Sequence, residues 1–304
     1  MTSKKLHAVT GAFGFSGKNI TKLLLAEGHD VITLTGNPAR NNPFGKQLKV
    51  SPFQFDDPDA LAGSLRGVDT LFNTYWIRFN HGDTTFEKAV ANTSVLVDAA
   101  KIAGVRKIVH VSITNPDINS TLPYFSGKAK VEQLIKDAGI SYAFLRPAVI
   151  FGTEGILINN IAWMLRLFPF LPVPGNGEYK LQPIYVEDLA KLAVSAGEQK
   201  ENQTIDAIGP DTFNYNEMVR VIATNLGRPA RLIHLPPILS YIFSKPLGYL
   251  MGDIVLTKDE VTGLLNNNLT TDSQPAGTTK LSDWVADNAD WLGKHYFSEL
   301  KMHY

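Results

Sequence analysis

Short apolar runs alternate with amphipathic stretches through the first half of the chain. Leu6 to Thr10 is an apolar run of strand length. Ile20, Leu23, Leu24 and Leu25 then recur at helical spacing up to Gly28. The same alternation predicts strands at Asp30 to Thr35, near Leu48 to Phe53, and at Val68 to Thr74, Arg106 to Ser112 and Ser141 to Arg146. Between them it predicts a helix capped by Asp56-Asp57-Pro58 and ending at Leu65. Two more run from about Thr84 to Ala103 and from Pro123 to Ala138, the latter capped by Ser120 or Thr121. Continuously apolar strands joined by helices indicate an α/β fold, a Rossmann-type doubly wound parallel sheet covered on both faces.

The texture changes after Phe151. Gly152 to Gly177 is rich in Gly, Pro and large apolar residues, with a helical piece at Leu157 to Leu167. Lys180 to Val186 looks extended, Glu187 to Ala196 helical, and Thr204 to Ile208 reads as a last core strand. The expected organisation is a parallel-sheet core over 1–150 plus 180–210. A smaller C-terminal substrate lobe would comprise 151–179 plus 211–304. Within the lobe, Leu235 to Leu256 is apolar but broken by Lys245 and Pro246. It reads first as a buried helix pair lining the lobe, with an apolar substrate pocket or peripheral contact to a membrane surface as the alternatives.

The first strand runs into Gly11-Ala12-Phe13-Gly14-Phe15-Ser16-Gly17 and then into a helix. Strand, glycine turn, helix is the setting of a dinucleotide site. Gly11 permits the tight turn, Gly14 lets backbone approach a pyrophosphate, and Gly17 lets the helix lie against the sheet. The helix N-terminus then offers free N–H groups to the anion. An ATPase-type phosphate loop is excluded, because Ala12 and Asn19 stand where it needs Gly and Ser or Thr.

A second constellation lies in the helix after the fifth strand. Tyr124 and Lys128 are four apart on a face continued by Val131 and Ile135, so a lysine sits on an apolar stripe beside Gly127. Tyrosine titrates near pH 10. Moving it to about 7 takes roughly 4 kcal/mol, which an ammonium about 4 Å away supplies at an effective dielectric near 20. Such a pair can pass a proton to or from a substrate oxygen while hydride moves. Ser112, at the end of the fifth strand, is placed to hydrogen-bond that oxygen, with Thr114 as the alternative. Tyr75-Trp76-Ile77-Arg78-Phe79, after the fourth strand, reads as a pocket wall.

Thr33-Leu34-Thr35-Gly36-Asn37 lacks the acidic residue that meets a ribose hydroxyl in NAD sites, and Arg40 is a nearby cation. NADP(H) is therefore favoured over NAD(H). The remaining composition narrows the classes. Lys plus Arg equals Asp plus Glu at 29 each, so no field draws nucleic acid. Cysteine is absent, which excludes disulfides and thiolate chemistry. The seven histidines show no local ligand spacing, so no metal site is expected, and His110 reads as a satisfied core residue. No GxSxG elbow exists. No apolar run reaches the roughly 20 residues of a spanning helix, and Met1 to Lys5 leave no room for a signal peptide. A cytoplasmic protein is expected.

Taken together, these motifs resemble the short-chain dehydrogenase/reductase superfamily in its extended or atypical branch. The matching stretches are Thr10 to Gly17, Asp56-Asp57, Asn92, His110-Val111-Ser112, Tyr124 to Lys128, Leu145 to Gly152 and Gln182 to Ala190. Ile158 to Ala162 and Gln182-Pro183 are similar to NAD-dependent epimerase/dehydratase-like proteins related to the NADPH-binding accessory subunit of respiratory complex I. The resemblance implies catalytic roles for Tyr124, Lys128 and Ser112. It implies cofactor contacts from Gly11, Phe13, Gly14, Phe15, Ser16 and Gly17. Asp56 would meet the adenine, Asn73 and Thr74 would lie along the cofactor, and Pro147 and Val149 would lie near the nicotinamide. Members of the branch often pair through the helices that match 84–103 and 123–138, so an oligomer is compatible with the resemblance, though nothing in the sequence demands one. The expected function is an NAD(P)-dependent oxidoreductase or epimerase-like enzyme acting on a small or moderately apolar carbonyl or alcohol. The alternative is a non-catalytic NADP(H)-binding redox-sensing or assembly protein.

Overall fold

In the computed structural model, residues 3–303 are described. Met1 and Thr2, on which the expectation of no leader partly rests, lie outside them. The chain runs β1 (Leu6–Thr10), α1 (Phe15–Ala26), β2 (Asp30–Thr35), β3 (Leu48–Pro52), α2 (Pro58–Ser64), β4 (Thr70–Asn73), α3 (Phe86–Ile102), β5 (Lys107–Val111), α4 (Pro123–Asp137) and β6 (Ser141–Leu145). After these come β7 (Val149–Phe151), α5 (Ile156–Leu167), β8 (Leu171–Pro174), β9 (Lys180–Leu181), β10 (Pro183–Tyr185), α6 (Val186–Glu198) and β11 (Gln203–Ile205). The last part holds β12 (Phe213–Asn214), α7 (Tyr215–Asn225), β13 (Leu232–Leu235), α8 (Pro237–Met251), α9 (Lys258–Leu265), α10 (Leu281–Asn288) and α11 (Glu299–His303). Two compact units result, Met1–Pro147 with Val186–Asp206, and Ala148–Tyr185 with Ala207–Tyr304.

The first unit is a seven-stranded sheet in the order β11-β6-β5-β4-β1-β2-β3, with every pairing parallel. This is the doubly wound arrangement its alternating pattern predicts. Leu34, Leu61, Leu71, Leu96, Ile108, Val131 and Phe144 are among the fully buried residues of one apolar cluster there. Local chemistry sets the helix starts. Asp57 caps α2 by accepting from Ala60 N–H at 3.0 Å, and Thr85 caps α3 by accepting from Lys88 N–H at 3.2 Å. The start of α4 differs from the sequence reading. Leu122 is its N-cap and no side chain caps it; Ser120 Oγ accepts from Leu122 N–H at 3.2 Å and shapes the entry, while Pro123 opens the helix.

The second unit has its own core of Phe151, Ile158, Ile161, Leu165, Val173, Leu181, Met218, Ile222 and Trp284. The stretch expected to be extended from Lys180 to Val186 is two short strands. Gln182 separates them because its amide grips Thr271, donating to its carbonyl at 3.0 Å and accepting from its N–H at 2.8 Å. The segment from Leu235 onward departs further from expectation. Leu235 ends β13, and Pro237–Met251 is one helix, α8, with Pro246 inside it and only Ser240 and Gly248 of that helix buried. Tyr249 is 93% exposed and Leu250 79%, so the apolar residues of this stretch do not form a buried pair. Among the described residues no helix is long and apolar enough to cross a membrane.

Candidate functional site

The chain leaves β1 for β2 on one side and later returns to place β4 on the other side of β1. The order therefore reverses between β1 and β4, and in open parallel sheets ligands bind outside the carboxyl ends of the strands at such a switch point. The glycine loop follows β1, Thr74 to Trp76 follow β4, and Ser112 follows β5.

The loop is shaped by its own backbone. Gly11 takes φ +67° and donates to Leu34 O at 2.9 Å, and Gly14 N–H returns to Gly11 O at 2.8 Å. A Cβ at Gly17 would collide with the Gly11 carbonyl, and one at Gly14 would lie 3.3 Å from the same oxygen. Phe13 is buried, so what it presents outward is backbone; Phe15 and Ser16 are half-buried at the start of α1. No side chain caps α1, whose N-cap is Gly14. The N-cap residue thus offers its N-terminal N–H groups no side-chain acceptor, the chemistry that suits an anion.

Thr10 ties this loop to the one after β4. Its hydroxyl donates to Asn73 Oδ1 at 3.1 Å and accepts from Thr74 N–H at 2.7 Å and Tyr75 N–H at 3.0 Å. Thr74 Oγ1 donates back to Thr10 O at 2.5 Å. The side chain of Asn73 is engaged inward, with Nδ2 3.2 Å from Nδ1 of His110. Asn73 therefore holds the loop from beneath. His110 is buried with one nitrogen partnered and Nε2 without a partner, so the reading of a satisfied core residue is half right. Burial first, then the Lys128 charge, pushes its imidazole well below the usual range.

Lys128 is 3% exposed, and its Nζ donates to Val111 O at 2.6 Å, which anchors α4 to the carboxyl end of β5. Burial pushes its ammonium down to about 7, opposed by the charge of Glu132. Glu132 is itself held by Arg146 in a two-pronged pair at 2.9 and 2.6 Å. Ser112 is buried, and its hydroxyl has no partner. Its N–H donates to Leu145 O at 2.7 Å, and Thr114 N–H to Pro147 O at 3.0 Å. The backbone between Ser112 and Thr114 is thus pinned to the end of β6.

Sequence reasoning did not foresee what Trp76 does. Its ring lies 6.0 Å from Tyr124 and 5.9 Å from Phe86, centroid to centroid, and the Lys128 Nζ is 4.7 Å from it. Gly127, beside Lys128, leaves room for a close approach. What approaches is Trp76, whose Cη2 would lie 2.8 Å from a Cβ there. A tryptophan directly after the switch-point strand was the available signal.

The other expected contacts are dispersed. Arg40 is exposed in the loop after β2, its N–H bonded to Asn37 O at 3.2 Å. Asp56 is exposed just ahead of the cap of α2. Pro147 is buried at the end of the first unit's strand β6. Val149 belongs to the second unit, in β7 paired with β10, where it packs in that unit's core. The structure thus brings Gly11 to Gly17, Asn73, Thr74, Ser112, Tyr124 and Lys128 to one edge of the first unit's sheet. The cradle, the uncapped helix and the orphaned Ser112 hydroxyl suit a dinucleotide with a substrate oxygen beside it.

Comparison with known proteins agrees with this architecture. The model of the NmrA-like family matches residues 3–284. The chain is 24% identical over 285 residues to a mitochondrial NADH dehydrogenase [ubiquinone] 1 alpha subcomplex subunit 9 of Arabidopsis thaliana, covering 87% of this chain and 71% of that protein. It spans only 27% of the length of longer mycobacterial relatives. Among solved structures, a nucleoside-diphosphate-sugar epimerase from Staphylococcus aureus superposes with a TM-score of 0.75 at 16% identity, covering 93% of this chain and 99% of that one. An NADPH-dependent quinone oxidoreductase from Escherichia coli, complexed with NADPH, gives 0.75 at 20% identity with the same coverage. These likenesses show the fold.

Proposed function

Since the chain belongs to the NmrA-like family, we propose that it binds a nicotinamide dinucleotide at the Gly11–Gly17 loop, NADPH in preference to NADH. We further propose that it acts as an oxidoreductase on a small or moderately apolar carbonyl or alcohol. The carrying observation is that the uncapped glycine turn at the β1/β4 switch point and the buried, unpartnered Ser112 hydroxyl after β5 both lie at the carboxyl ends of the strands of one parallel sheet. Neighbours of the same fold are described as complexed with NADPH and with NAD+.

When bound, the dinucleotide supplies or accepts the hydride. The chain's residues do the rest. Backbone N–H groups at the start of α1 hold the pyrophosphate; Gly14 lets the backbone approach it, Gly11 makes the turn, and Gly17 lets α1 pack against the Gly11 carbonyl. The Tyr124 hydroxyl gives a proton to the substrate oxygen, or takes it in the reverse direction. Ser112 donates a hydrogen bond to that oxygen. Lys128, positive below about 7, favours the tyrosinate. Arg40, in a loop free of carboxylates from Thr33 to Asn37, meets the 2′-phosphate.

A second reading has its own observation. The Lys128 ammonium is directed at Val111 O and the Trp76 ring, which suits a structural lysine in a protein that holds the cofactor without turnover. The relative named as a subunit of NADH dehydrogenase [ubiquinone] favours that reading. Tyr124→Phe separates the two. An enzyme retains NADPH binding and loses about two orders of magnitude or more in rate. A cofactor-holding protein shows no carbonyl reduction in either form.

A further inference from the structure

At the opposite edge of the same sheet, where the parallel strands begin, His7 lies in β1, His29 directly precedes β2, and Glu198 ends α6. Each offers one ligand atom, and the three atoms lie within 4.8 Å of one another. We infer that His7, His29 and Glu198 form a binding site for a divalent late first-row transition-metal ion of the zinc kind.

His7 carries the inference. It is 1% exposed, and both of its ring nitrogens lack a hydrogen-bond partner. Buried imidazoles almost always find a partner for at least one nitrogen. Its ring meets His29 edge-on at 4.8 Å between centroids, and Phe72 at 5.7 Å closes the apolar side. The partner missing from His7 is thus to be sought toward His29 and Glu198.

The place already attracts positive charge. Lys5 Nζ lies 3.4 Å from each Glu198 carboxylate oxygen and 3.7 Å from Asp69. An arriving divalent ion takes Glu198, and Lys5 keeps Asp69. His29 Nδ1 accepts a long bond from Lys5 N–H at 3.3 Å, which coordination through that nitrogen displaces. Two imidazoles and one carboxylate, with water in the fourth position, are a donor set for zinc, cobalt or nickel rather than magnesium or calcium. Glu198 is exposed and provides the entry path. The bound ion would clasp the starts of β1 and β2 to the end of α6.

The test uses the full chain, free of any affinity tag and stripped with chelator, titrated with cobalt(II) alone and then with zinc. The expected result is one equivalent of cobalt with the intense visible bands of a four-coordinate ion, bleached by zinc. His7→Phe, which keeps a ring against Phe72, and Glu198→Gln should each weaken binding about tenfold or more. Circular dichroism verifies that both variants fold. Absence of such bands, or uptake unchanged in folded His7→Phe protein, overturns the inference.

Discussion

The Lys128 ammonium lies 4.7 Å from the centroid of the Trp76 ring while donating to the Val111 carbonyl at 2.6 Å. The same indole meets Tyr124 edge-on. One aromatic side chain, delivered by the loop after β4, therefore touches both members of the proposed proton-handling pair. Replacing it should loosen both. Trp76→Ala is expected to cost about 2 kcal/mol or more in stability, counting lost ring contacts and the cavity. Trp76→Phe keeps an aromatic face and should cost less than half as much. Urea unfolding of the two variants measures the difference.

Gly17 packs so closely on the Gly11 carbonyl that no side chain fits. Gly17→Ala must push α1 off the sheet edge, at about 1–3 kcal/mol. Dinucleotide affinity should fall about tenfold or more, measured by fluorescence titration on protein shown to be folded. Gly28→Ala serves as the control, because nothing lies within 4 Å of a Cβ there and its φ of +85° costs only local strain.

Lys128 gives opposite pH trends in rate and stability. Burial lowers it from the usual 10.5 to about 7. Between those values the unfolded chain holds a proton that the folded chain lacks. Stability should therefore rise with pH, by up to about 1.4 kcal/mol per unit. The ammonium that supports Tyr124 is lost over the same range, so kcat/KM should fall as pH rises through about 7. Lys128→Met should flatten both profiles. Thermal unfolding and initial rates from pH 6 to 10 would check this, on the order of the window set by those values.

Asp69 works in the acid range. The paired hydrogen bonds of Arg106, at 3.0 and 2.7 Å, hold its carboxyl down to about 2. Its folded value is depressed, so its contribution is complete above the ordinary 3.8 and lost as pH falls toward 2. That contribution is about 2 kcal/mol. Asp69→Asn should be less stable at pH 7 and lose less on acidification, measured by urea unfolding at both ends.

Much of the first unit could be read directly from the chain. The runs at Leu6, Asp30 and Ser141 are strands because branched and apolar residues fill positions buried on both faces, and Gly28 and Gly104 close helices with positive φ. The glycine turn was legible for the same local reason. Other features depend on residues far apart in sequence. His7, His29 and Glu198 meet only after the sheet closes, so histidine spacing carried no sign of them. Trp76 meets Lys128 only once β4 and β5 are neighbours. The resemblance made Asn73, the last residue of β4, a cofactor contact, yet Thr10 and His110 take its amide. In α8, apolar content suggested burial, but the helix leaves Tyr249 and Leu250 facing outward. Hydrophobicity alone does not say what an element packs against.

The most direct test of the account is a fluorescence titration of the purified protein with NADPH and, separately, with NADH. Trp76 beside the site makes the intrinsic signal responsive. Saturable NADPH binding is expected, at least about tenfold tighter than NADH, a difference of roughly 1.4 kcal/mol from the 2′-phosphate. Equal affinity would remove Arg40 from the reading and leave the loop in place. Failure of both nucleotides to bind would contradict the central claim, making Gly11 to Gly17 a structural turn.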